Sequence, residues 1–101
     1  MAIDLFCYVS NVATEVKKAL DLMADTHKEL FTRKFLISPI RDVEQFHKET
    51  ALEYGLNANC IFLVRINDKS AVNLLSTVES VIKSTLGVDN VIILFENETL
   101  R

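Results

Sequence analysis

The side chains equipped for nucleophilic or metal chemistry are few: Cys7, Cys60, His27 and His47, set among 14 carboxylates. Both cysteines sit inside apolar runs, LFCYV and CIFLV. A reactive thiol needs an electropositive, partly open setting, so these read as buried free thiols of a reducing compartment. A cysteine phosphatase requires Cys-x5-Arg, and the sixth residue after Cys7 is Ala13. Glu44 and His47 form a lone Glu-x-x-His, a pattern that makes a metal centre only with ligands from other helices. His27 falls on an apolar helical stripe, where a partly buried, hydrogen-bonded imidazole is expected. SNVAT, ahead of the first helix, has no glycine to let a phosphate approach the backbone. FCYVSN likewise lacks the carboxylates of a phosphoacceptor site. No catalytic residue, metal ligand or cofactor is assigned.

The elements that would position any site follow from periodicity. IDLFCYV (3–9) reads as a strand and Ser10 or Asn11 as the cap of a long helix. Along that helix Val12, Val16, Ala19 or Leu20, Met23, His27 and Leu30 recur at spacings of three and four. KFLIS (34–38) is a short second strand, ended by Pro39 and so best placed at an edge. Asp42 can cap a helix bearing Val43, Phe46, Thr50 and Tyr54, which Gly55 ends. NCIFLVRI (59–66) is a third strand; Asp68 or Ser70 then caps a helix with Val72, Leu75, Val78, Ile82 and Leu86 on one stripe. Gly87 stops it, and Val91–Phe95 is the last strand.

This strict alternation, β-α-β-α-β-α-β, predicts a single α/β domain over 1–101: a four-stranded, mainly parallel sheet covered by three helices. The unbroken apolar runs of the third and fourth strands suit strands covered on both faces. An α+β sandwich with some antiparallel pairs is the other arrangement compatible with the pattern.

In open α/β sheets, sites lie beyond the carboxyl ends of the strands. Those positions are Ser10 and Asn11, Ser38 and Pro39, Asn67 to Ser70, and Glu96 to Glu98. The constellation that remains is a polar, acidic rim of Asn67, Asp68, Glu96, Asn97 and Glu98. It serves either to solubilise the sheet end or as a docking surface for a basic partner, where charge complementarity speeds and selects association.

The 101 residues carry 11 basic and 14 acidic side chains, net charge −3. Nucleic acid is disfavoured as a partner because phosphate binding needs a clustered positive footprint, and Arg33 with Lys34 is the nearest approach to one. MAIDLFCYVSN does not read as a signal peptide, and no apolar run approaches a membrane span. A cytoplasmic protein is expected. In size, charge and α/β layout the chain resembles the immunity proteins of bacterial contact-dependent growth-inhibition toxin systems. That resemblance implies a non-catalytic module that binds and neutralises a cognate toxin, with a basic toxin domain as the expected partner; it carries over no residue, because those proteins share no motif. Two other readings stand beside it. One is a small enzyme or ligand-binding subunit using Ser10, Asn11, Ser38 and Asp68 in a crevice at the strand ends. The other is a homodimer formed through the last strand, should VIILF lie at a sheet edge.

Overall fold

The structure, a computed structural model, describes residues 3–31, 35–66, 69–96 and 99–100. Strand β1 spans Ile3–Val9, helix α1 Ala13–Thr26, β2 Phe35–Ile37, β3 Arg41–Asp42 and α2 Gln45–Glu53. β4 spans Cys60–Ile66; a 3-10 segment, Lys69–Leu74, leads into α3 at Leu75–Leu86, followed by β5 at Val91–Phe95 and β6 at Thr99–Leu100.

The parallel sheet expected from the alternation is not what forms. Every strand pair is antiparallel, in the order β2-β4-β1-β5-β6, with β3 also pairing β4. The reason lies in what each helix crosses. β1 and β2 run the same way, as do β4 and β5, which is what a helical crossover delivers. Yet β4 is inserted between the first pair and β1 between the second. Two interleaved split β-α-β units result, the plan called ferredoxin-like. α2 is no crossover at all, since it interrupts the connection between antiparallel neighbours β3 and β4.

β2 does lie at the sheet edge, and β3 continues it along β4. From Ile37 to Arg41 the edge takes four steps, while β4 takes three, from Val64 to Ile61. One extra residue is therefore bulged out at Pro39–Ile40, where a missing N–H costs the ladder nothing. Ser38 holds the last regular position: its N–H donates to the Leu63 carbonyl at 2.8 Å, and its Oγ accepts the Leu63 N–H at 2.8 Å.

Pleating assigns the two faces. Leu5, Cys7 and Val9 of β1, Cys60, Phe62, Val64 and Ile66 of β4, and Val91 and Ile93 of β5 point to one side. There α1 contributes buried Val16, Leu20 and Met23, and α3 contributes Leu75, Val78, Ile82 and Leu86. Each such side chain stabilises the fold by about 1.5–3 kcal/mol through burial. On the opposite face a smaller cluster joins Tyr8, Ile61 and Leu94 to Ala51 of α2 and to Leu56 and Ala58. The strands are thus covered on both faces where their apolar runs are unbroken, although they are antiparallel.

Several helix ends differ from expectation. The N-cap of α1 is Val12 and that of α2 is Glu44, neither with a side-chain cap bond, in place of Ser10 or Asn11 and of Asp42. α1 ends at Thr26 and His27 is exposed rather than partly buried. Gly55 and Gly87 follow α2 and α3 with φ of 84° and 96°, the left-handed backbone that helix-ending glycines supply.

Candidate protein-binding site

Antiparallel pairing divides the strand ends into two groups. β1 and β2 finish at one end of the sheet, β4 and β5 at the other. Ser10 and Asn11 therefore lie at the end opposite that of Ile66 and Phe95, while Asp68, the fourth residue of the expected crevice with Ser10, Asn11 and Ser38, lies outside the described residues. The first group is occupied structurally. Ser10 donates its N–H to the Asn90 carbonyl at 2.9 Å, and the Asn59 amide donates to the Ser10 carbonyl. The Asn90 side chain donates to the Leu86 carbonyl at 3.1 Å, tying the turn after α3 to the same end. The Cys60 thiol donates to the Asn11 carbonyl at 3.5 Å.

The second group is where the acidic rim was expected. β4 and β5 are not neighbours; they flank β1, so their ends stand two strand spacings apart, roughly 10 Å. Of the five rim residues, Asn67, Asp68, Asn97 and Glu98 lie outside the described residues. Glu96 has left-handed backbone, φ 55°, and extends the pairing of β5 with β1. Its N–H donates to the Asp4 carbonyl at 2.9 Å, while its Oε1 accepts the Asp4 N–H at 3.3 Å.

Two charged residues that sequence reasoning did not include complete this edge. Asp4 and Arg65 are cross-strand partners, and the Arg65 guanidinium grips the carboxylate with two bonds, Nε to Oδ1 at 2.9 Å and the terminal nitrogen to Oδ2 at 3.3 Å. The fork is the strong geometry for such a pair. Hydrogen bonding and charge from Asp4 push the guanidinium pKa further up. The three described charges sum to −1, two carboxylates against one guanidinium. Only the pairing register could have exposed this pair, since Asp4 and Arg65 are 61 residues apart.

Elsewhere, a groove of about 750 Å³ runs between α1 and the bulged edge, lined by Leu20, Phe31, Ile37 and Ile40, with Lys17 and Asp21 at its mouth. Lys17 and Asp21 pair with each other at 3.2 Å, and Ser38 Oγ is committed to the Leu63 N–H. The groove thus has an apolar wall without the convergent, desolvated polar groups of a catalytic pocket. Cys7 and Cys60 are free and buried, and burial pushes both thiols up. His47 packs its ring between Tyr8 and Phe46, at centroid distances of 5.9 and 4.2 Å. Among the described residues no cluster of three His, Cys, Asp or Glu could hold a metal, and no helix is long and apolar enough to cross a membrane.

Residues 1–99 match the model of the family described as CDI System Immunity Component. The chain belongs to this family. This CDI immunity family member is 42% identical to immunity protein CdiI-2 of Burkholderia pseudomallei strain 1026b, over 101 residues and the full length of both chains. Its fold is similar to that of a chain in the solved CdiA-CT/CdiI toxin and immunity complex from Burkholderia pseudomallei. There the TM-score is 0.94 at 40% identity, covering 97% of this chain and 95% of that one.

Proposed function

We propose that this CDI immunity family member binds a cognate toxin and neutralises it, in the cytoplasm and without catalysing a reaction of its own. One observation carries the reading: the chain matches, over 97% of its length and at TM-score 0.94, a chain of a toxin and immunity complex. The apolar wall of the groove beside α1 supports a binding role over the enzyme alternative. In this reading the contact surface includes the rim of Asn67, Asp68, Glu96, Asn97 and Glu98, and the toxin meets it with a basic patch.

The test is co-expression with a cognate toxin domain, sought in the genes neighbouring this one, with growth and direct binding of the two purified proteins as readouts. Protection from the toxin and a tight one-to-one complex are expected. Absence of both would reject the function. Exchanging Asp68, Glu96 and Glu98 for the corresponding amides should slow association and flatten its salt dependence; unchanged association would remove the rim from the interface.

A homodimer through the last strand is a second reading, favoured by one feature. β6 pairs only Leu94 and Phe95, so Val91–Ile93 have no strand on their outer side among the described residues. Sedimentation over a range of concentrations decides it, a monomer throughout being the rejecting result.

A further inference from the structure

We propose that the outward face of α2 is a docking surface for the toxin, seating a basic surface patch that contains an apolar pocket; this rests on the immunity reading above. The starting observation is topological. β3 and β4 are antiparallel neighbours, which a two-residue turn can join. Residues 43–59 fill that connection instead, and place α2 on the sheet face that α1 and α3 leave open.

α2 contributes little to the core. Only Ala51 of its nine residues is buried, against three large apolar side chains from α1 and four from α3. What it displays is more distinctive. At 100° per residue, Gln45, Phe46, Glu49, Leu52 and Glu53 share an arc of about 120°, pointing away from Ala51. Phe46 and Leu52 on that arc are each 57% exposed. Single exposed apolar residues need no explanation, but two on one arc of a two-and-a-half-turn helix form a patch. The charge around them is one-sided. Residues 41–54 carry Asp42, Glu44, Glu49 and Glu53 against Arg41 and Lys48, so this segment holds −2 of the chain's −3. An aromatic and an aliphatic anchor beside carboxylates is the composition of an interface centre with a polar rim, and its sign selects a basic occupant.

Binding of the purified toxin domain is measured for the native chain and three double variants, each first shown to melt cooperatively. Phe46→Ala with Leu52→Ala is expected to weaken binding about 30-fold or more, the loss typical of central anchors. Glu49→Lys with Glu53→Lys, which alters only exposed side chains, is expected to lower the association rate about tenfold at low salt, and less as salt rises. Lys18→Ala with Leu22→Ala, on the exposed side of α1, is expected to leave affinity unchanged. The inference is overturned if both α2 variants bind as the native chain does, or if the α1 variant loses as much. A native chain that does not bind the toxin rejects the immunity reading itself, and this inference with it. Should Phe46→Ala with Leu52→Ala fail to fold, the charge-reversal pair decides alone.

Discussion

Gly87 shows how a single position can hold two constraints. Its φ of 96° disfavours any side chain, and an added Cβ would stand 2.6 Å from Asn90 Nδ2, an amide already bound to the Leu86 carbonyl. Gly55 has a similar φ, 84°, with open space where a Cβ would go. Gly55→Ala should therefore cost only backbone strain, about 1–2 kcal/mol, while Gly87→Ala should cost more, about 2–3 kcal/mol. Urea unfolding of the two variants measures both, and equal costs would refute the Asn90 contribution. The cysteines supply a pH signature. Burial is the main cause that raises both thiols, with Glu79 adding to Cys7 and Asp42 to Cys60. In the unfolded chain these thiols lose protons from about pH 8.5, where the folded chain still holds them. The unfolded state then binds fewer protons, so stability falls as pH rises above that point, by up to about 1.4 kcal/mol per pH unit for Cys7, with Cys60 acting in the same direction. Denaturation midpoints at pH 7 and 9.5 should differ accordingly, and replacing Cys7 and Cys60 by Ala should flatten the difference. The same residues illustrate what was legible: their apolar flanks announced burial, whereas the stripe position of His27 suggested a burial that the early end of α1 prevents.

At the level of elements, α2 is held by small contacts. Ala51 is fully buried against the Tyr8, Ile61 and Leu94 cluster. Ala51→Leu should overpack this contact and destabilise the protein by about 1–3 kcal/mol, read by thermal or urea unfolding; a stability equal to the native chain's would mean that α2 shifts freely on the sheet. Element positions were largely readable from sequence: β1, β4 and β5 stand where apolar, β-rich runs placed them, and Gly55 and Gly87 end the helices they were expected to end. The caps were less so. Ser10 and Asn11 have the side chains of a helix cap, but Ser10 is drawn into the Asn90 contact and α1 starts from Val12 instead. β3 escaped detection because two residues carry no period, and it exists only as the continuation of β2 past the Pro39 bulge.

Across the whole molecule, β5 closes the design. It pairs with β1 over five positions and places Val91 and Ile93 in the main core and Leu94 in the cluster beneath α2. Truncation after Asn90 should abolish cooperative thermal melting, because it opens both clusters and bares an edge of β1; a soluble fragment with a sharp transition would contradict this. The strongly apolar VIILF run is thus the strand carried in by α3, and the two-residue β6 pairs onto its end. Sequence alone determined the hydrophobic content, the order of the longer strands and helices and the acidic balance, since each is a matter of residue type and local spacing. Tertiary structure alone decided that the sheet is antiparallel. A helical crossover such as α1 or α3 delivers two strands that run the same way but does not fix whether a third lies between them, and here one does in both crossovers. That insertion sent Ser10 and Glu96 to opposite ends of the sheet, brought Asp4 to Arg65, and left one face open for α2.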